Sequence, residues 1–319
     1  MHCPLCNGER VFPASQYLDI KVVMERWKAE AGIFFSKQVR DAYDHPELRK
    51  ITLLRCSSCG FSMFHPICVG TDAFYAEITA SSYYVAEKWE FRKALSDIRR
   101  NRVNRILDIG CGSGDFLAFL QKAGYRGECF GFEFNRPAAE LAKGKGFEVS
   151  HGAFPEAVEN TFGNTFDAIC MFQVLEHVAD PASLLSKIWK MLGPQGLLII
   201  GVPDAEGPLR HFKNALTDIP PHHVSRWSAG CFKVGLEAMG YKLRKLSREP
   251  LPDYLWRGYL PVMWEEGIWP ASLLRILHPF TKKSALEQIN WFIDRMKSLN
   301  VRWLYGVPGH TLYALMQRT

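Results

Sequence analysis

The chain has 319 residues, 47% hydrophobic and 23% charged, the balance of a folded globular protein and not of a disordered one. Its 39 Lys and Arg against 33 Asp and Glu give a net charge of +6 with no block of like charges, which speaks against a polyanion-binding tail. No apolar run approaches the roughly 20 residues of a spanning helix, and the N-terminus, MHCPLCNGER, lacks a basic region followed by an apolar one, so a cytoplasmic location is expected.

In chain order, the first zone carries cysteines and runs to about residue 75. Cys3 and Cys6 in CPLC, and Cys56 and Cys59 in CSSC, form two knuckles separated by 49 residues. Each short turn can aim two thiolates at one point, and two knuckles supply the four sulfur ligands of a closed, structural zinc site. The total of nine cysteines is odd and no export signal precedes them, which favours metal over disulfides. A dithiol redox pair or a four-cysteine iron centre are the alternatives. The long span between the knuckles needs an element of its own, and residues 16–31 read as a helix.

Tyr83 and Tyr84 precede the helix that leads into the core, where they could cover a ligand or pack on the sheet. Strand-like runs then follow at residues 105–109, 129–133, 147–149, 166–172 and 196–202, with helical patterns between them. This alternation calls for an α/β fold with a doubly wound, Rossmann-like parallel sheet. Asn135 and Asp180 read as caps ahead of Pro137 and Pro181. A helix at 228–239 closes on Gly240, residues 241–247 alternate as a strand, and the last strand is expected at 311–316. Between these two strands lies an aromatic-rich insertion in which Ser284 could cap a helix with Leu286, Ile289, Ile293 and Met296 on one face. The expected division is 1–75 zinc-knuckle domain, 76–248 core, 249–308 helical insertion acting as lid or interface, and 309–319 final core strand.

The stretch LDIGCGSGDF places Gly110, Gly112 and Gly114 between a strand and a helix, where they permit a tight turn and close ligand approach. Glu133 ends the second strand 25 residues after Asp108, where a carboxylate can accept hydrogen bonds from two ribose hydroxyls. The ligand is therefore read as a nucleoside. GCGSG is not the dinucleotide fingerprint and there is no P-loop lysine, so pyrophosphate is disfavoured, while Asp108 suits a cationic ligand.

Taken together, RILDIGCGSGDF, GFEFN, FDAICMFQVLEHVADP and GPQGLLIIGVPD resemble the successive motifs of class I S-adenosylmethionine-dependent methyltransferases, in particular the group that includes the ubiquinone-biosynthesis O-methyltransferases. The resemblance covers roughly residues 103 to 248 and implies a seven-stranded sheet of order 3214576 with the seventh strand antiparallel. It further implies that Gly110, Gly112 and Gly114 line the S-adenosylmethionine, with Asp108 near its amino end, Glu133 on the ribose, Phe134 beside the adenine, and Gln173 also at the cofactor. An aspartate that many relatives carry after the third strand is replaced here by SHGAFPEA, so the adenine contact would fall to backbone, His151 or Glu156.

Methyl transfer needs alignment of acceptor and methyl group and, for some acceptors, removal of a proton. In PPHHVSRWS, His223 and then His222 are the candidates for that base, with structural roles in fixing the loop as the bland alternative. Glu176 and His177 in VLEH are read as framing the active-site floor. Similar enzymes with a cysteine-knuckle domain ahead of the core include sugar C-methyltransferases and natural-product O-methyltransferases, which implies a small-molecule acceptor. Two other readings are an RNA methyltransferase using the zinc domain as a nucleic-acid platform and a non-catalytic zinc- and cofactor-binding interaction protein. Trp256, Tyr259, Trp264 and Trp269 within residues 253–280 could make a peripheral membrane contact, or form a lid or dimer contact. The oligomeric state is not legible.

Overall fold

The computed structural model describes residues 2–15, 17–78, 88–212, 215–267 and 284–319. Strands β1 (Val11–Pro13), β2 (Thr52–Cys56) and β3 (Ser62–His65) pair antiparallel in sequence order. Helix α1 (Ile20–Ala31) starts at residue 20 because Asp19 caps it, its side chain accepting from the Lys21 N–H, and it ends on Gly32 in the left-handed conformation. Its apolar face, Ile20, Val23, Met24 and Trp27, packs with Phe35, Val39 and Phe74, and with Leu216 and Ile219 from far downstream.

The core sheet is built from β4 (Arg105–Ile109), β5 (Glu128–Phe132), β6 (Glu148–Ser150), β7 (Phe166–Phe172) and β8 (Leu192–Pro203), all parallel. After the short β9 (Ser225–Arg226), β10 (Tyr241–Pro252) and β11 (Trp303–Arg318) complete it. The order is β6-β5-β4-β7-β8-β11-β10, with β11 antiparallel to both neighbours. Counted from β4 and leaving out β9, this is 3214576 with an antiparallel seventh strand, as expected. Both faces are covered: Ile106, Cys170 and Ile199 point into one hydrophobic cluster, while Leu107, Met171 and Ile200 point into the other.

β9 does not join this sheet. It pairs with β3, Ser62 opposite Arg226 and Met63 opposite Ser225, as the fourth strand of the N-terminal sheet. Cys3, Leu5, Cys56, Cys59 and Phe61 also share one buried cluster with Trp227, Phe232 and Leu236. The helix expected at 228–239 contains a π-helical segment, Cys231–Leu236, seated directly on the second cysteine knuckle. A Cβ on Gly230 would lie 2.5 Å from the Cys59 carbonyl oxygen, so only glycine allows that approach.

The last strand is longer than expected, because β10 and β11 stay paired past the sheet, from Tyr241 opposite Arg318 to Pro252 opposite Trp303. The inserted segment contributes helices Trp256–Glu265 and Ala285–Ser298, the second opened by a full capping box between Ser284 and Glu287. Ile289 and Ile293 are buried as the periodicity required, but Leu286 is 58% exposed, because the inward face of the helix runs through Ala285, Ile289 and Phe292. Trp256, Tyr259 and Trp264 are buried against that helix with Leu260 and Met263, so these rings are not turned toward lipid. Trp269, the remainder of the aromatic stretch to 280, and Tyr83 and Tyr84 lie outside the described residues. Among the described residues no helix is long and apolar enough to cross a membrane.

Candidate functional site

Strand β4 ends in the loop at residues 110–114, where Gly110, Gly112 and Gly114 have φ of 72°, 56° and 82°. Side chains rarely adopt this region. Space is also short: a Cβ on Gly110 would stand 2.5 Å from a methyl of Val174, and one on Gly114 would stand 2.7 Å from the Phe147 ring. The Gly110 and Cys111 N–H groups both donate to the Phe132 carbonyl, which ties the loop to the end of β5. The Cys111 sulfur would lie 2.7 Å from a Cβ on Gly131, so this side chain faces the sheet.

Glu133 follows β5 and is buried. One carboxylate oxygen accepts from the Gly112 N–H at 2.7 Å and the other from the Asn135 N–H at 2.8 Å. Burial pushes its pKa up against the pull of these N–H donors. Asp108, also buried, is raised well above the ordinary carboxylate range by burial and then by the Glu133 charge. Asp108 and Glu133 are thus two buried acids near the C-terminal ends of the adjacent strands β4 and β5. Phe134 is half exposed, its ring edge-on to Phe132 at 4.8 Å. The Glu133 N–H donates to the Ser150 carbonyl, which brings the start of the 151–156 segment alongside.

Gln173 follows β7 with a left-handed backbone, its N–H on the Gly201 carbonyl and its side-chain amide 3.5 Å from Glu90. Glu90 is buried and raised by burial, with Lys88 the first charge to offset it. Sequence reasoning missed Glu90 and Lys88, since acidic and basic residues at a helix start look like ordinary solvated charges.

His222 and His223 sit in the loop before β9, and His177 at the end of the turn Leu175–His177. The Val224 N–H donates to the Glu176 carbonyl and the Ser225 hydroxyl to the Leu175 carbonyl, so the loop is laced to that turn and the three imidazoles meet. Their ring centroids are 4.6 to 4.8 Å apart. His177 Nδ1 lies 2.6 Å from the His222 carbonyl and 2.9 Å from the Tyr75 hydroxyl, which itself donates to that carbonyl. His222 Nδ1 lies 3.1 Å from the Thr217 carbonyl. Burial holds all three neutral: His177 falls to about 4, and His222 and His223 well below the usual range. Asp218, paired with Arg226 at 2.7 Å, is 3.6 Å from His223 Nδ1. Tyr75 and Asp218 carried no motif in the sequence. Only the fold brings them to the histidines.

The four knuckle cysteines converge as a separate cluster, with Cys3 and Cys59 sulfurs 3.5 Å apart and those of Cys6 and Cys56 3.6 Å apart. None of the nine cysteines forms a disulfide. A hydrogen bond from Cys59 pulls Cys3 down to about 5, so this group can hold a thiolate. The glycine loop, Glu133 and Gln173 thus lie together, the histidines adjoin them through Val174 to His177, and the cysteines stand apart behind Trp227.

Residues 82–246 match the methyltransferase domain family. A ubiquinone biosynthesis O-methyltransferase of Methylococcus capsulatus is 27% identical over 160 residues, covering 43% of this chain and 67% of that protein. One of Caulobacter sp. is 33% identical over 127 residues, covering 39% of this chain and 48% of that protein. The chain therefore spans about half to two thirds of the length of these curated relatives. A solved SAM-dependent methyltransferase from Archaeoglobus fulgidus aligns over 72% of this chain and 94% of its own, at 19% identity and a TM-score of 0.45.

Proposed function

Since this chain belongs to the methyltransferase domain family, and is by that membership an S-adenosylmethionine-dependent methyltransferase, we propose that it methylates an oxygen or carbon of a small-molecule acceptor. The observation that carries the reading is the Gly112–Glu133 contact at the end of a loop held in positive φ. It brings a backbone with no side chains and a carboxylate to one place, which is what a nucleoside ligand requires. Gly110, Gly112, Gly114 and Glu133 hold the ribose and methionine portion, Asp108 and Gln173 its cationic end, and Phe134 the border of the adenine. S-adenosylmethionine supplies a methyl group on a cationic sulfonium, and the protein's part is to align an acceptor with it.

On the acceptor side, His223 and His222 help the acceptor lose its proton. Their support is that burial leaves them neutral, beside Asp218 and within reach of His177. The N-terminal segment, whose Tyr75 reaches His177, and the 249–308 insertion, whose Tyr254 lies against His310, wall this side. Cys3, Cys6, Cys56 and Cys59 hold a structural zinc. The sulfur separations of 3.5 and 3.6 Å support this, being close to the edge of about 3.8 Å in a tetrahedron with Zn–S bonds of about 2.3 Å.

The test is calorimetric titration of the full chain with S-adenosylmethionine and with S-adenosylhomocysteine, followed by an acceptor screen over sugars, phenols and RNA. Binding of both with turnover on a small molecule is expected. Failure to bind either would overturn the reading, and turnover on RNA alone would overturn its acceptor class.

A further inference from the structure

An imidazole trio can help a hydroxyl lose its proton as a bare base or as the ligand set of a cation. We propose that His177, His222 and His223 together bind a divalent transition-metal ion, with at least one coordination position left for an oxygen of water or acceptor. This deepens, and rests on, the reading of these histidines given above.

Convergence is the first ground. The three residues come from two separate segments, yet one nitrogen of each lies within 4.8 Å of the others. Three nitrogens bound at about 2.1 Å to one tetrahedral ion stand about 3.4 Å apart, so modest side-chain rotation closes the trio.

The hydrogen bonds decide the tautomers of His177 and His222. The His222 carbonyl accepts the Tyr75 hydroxyl proton and also lies 2.6 Å from His177 Nδ1, so that nitrogen must be the donor, and the lone pair falls on Nε2. His222 Nδ1 faces the Thr217 carbonyl and is fixed in the same way. An imidazole whose Nδ1–H is anchored on a backbone carbonyl, with Nε2 as the donor of electrons, is the usual outer arrangement of a metal-ligating histidine.

The third ground is a shortage of positive charge. Glu176 is buried with both carboxylate oxygens unpartnered, and Oε1 is 3.8 Å from His177 Nε2. His223 Nδ1 is likewise buried without a hydrogen bond, and the nearby Asp218 is already engaged by Arg226. Fully buried polar atoms ordinarily find partners. A cation among the imidazoles satisfies the nitrogen and compensates the carboxylate at once. Neutral imidazole ligands suit zinc, cobalt, nickel or iron(II) better than magnesium or calcium.

The test uses the tag-free full chain loaded with cobalt(II), because cobalt distinguishes the two sites by colour. The cysteine site gives intense thiolate-to-metal charge transfer, while a nitrogen site gives only weak ligand-field bands. A second equivalent of cobalt with the weak bands alone is expected. It should disappear in His177→Gln and in His223→Gln while the charge-transfer bands remain. Glu176→Gln, which keeps every imidazole, should weaken cobalt at this site about 10- to 100-fold, and covers the case in which a histidine variant does not fold. A wild-type protein that holds cobalt only at the cysteines, or a second equivalent that survives both histidine changes, overturns the proposal. S-adenosylhomocysteine titration of the same samples separates the outcomes. Loss of that binding in wild type would sink the methyltransferase reading whatever the metal count, and retained binding without a second ion would sink only the metal site.

Discussion

A carboxylate oxygen of Glu133 accepts the backbone N–H of Gly112 at 2.7 Å, so the acid that follows β5 is clamped to the loop that closes β4. The contact fixes the carboxylate before any ligand arrives, and an oxygen with a second lone pair remains able to accept from a hydroxyl. Preorganisation of this kind lowers the entropy lost on binding.

Replacing Glu133 by Gln keeps the shape but puts an amide where two backbone N–H groups now meet carboxylate oxygens. Hydrogen bonds to a charged group contribute about 1.5–3 kcal/mol. S-adenosylhomocysteine affinity should fall roughly 10- to 100-fold by calorimetry. Unchanged affinity would remove Glu133 from the ribose site.

Gly110→Ala should destabilise the fold and weaken cofactor binding for two separable reasons. A side chain at φ 72° costs about 1–2 kcal/mol, and its Cβ would press on Val174 at 2.5 Å. Adding Val174→Ala should recover the steric part alone. Urea titration of the single and double variants measures both, and a double variant no better than the single would show that the clash is relieved elsewhere.

His223→Ala should leave S-adenosylhomocysteine affinity near the wild-type value, since its contacts lie with His177 and Asp218 and not with the glycine loop. Turnover should drop about 10²- to 10⁴-fold. Equal turnover would strip the residue of its role.

Glu249 is buried with one oxygen unpartnered, and burial raises its pKa to about 8 from 4.5. The folded state then keeps a proton that the unfolded state releases, so stability is lost as pH rises from 4.5 through 8. Glu249→Gln should therefore gain on wild type as pH rises, on the order of 2–3 kcal/mol between about pH 6 and 8.5. Denaturant titrations at the two pH values check this, and parallel curves for both proteins would contradict it.

Removing the metal proposed at the cysteines should disturb more than the N-terminal sheet. Cys3, Cys56 and Cys59 are packed in the same cluster as Trp227 and Phe232, and β9 belongs to the cysteine-bearing sheet. Chelation, or Cys56→Ser, should lower the melting midpoint by roughly 10 °C and change the fluorescence of the buried Trp227. A protein with unchanged melting and emission would show that no metal staples this region.

Much of this protein is set by patterns of short range. The alternation of strands and helices, the caps at Asn135 and Asp180, the glycines after β4 and the cysteine knuckles all act over a few residues, so spacing alone places them. The order of the core sheet follows from the family resemblance of those same motifs. Tertiary packing alone decided that Ser225 and Arg226 leave the core to pair with β3, that Tyr75 crosses to His177, and that Trp256, Tyr259 and Trp264 turn inward. These contacts join residues far apart in the chain and rest on burial and hydrogen-bond satisfaction, which no local pattern records. The histidine trio shows the division within one site: its residues are visible in the sequence, but their neutral state comes from the buried surroundings, and the tautomers of His177 and His222 from the carbonyls, that the fold puts around them.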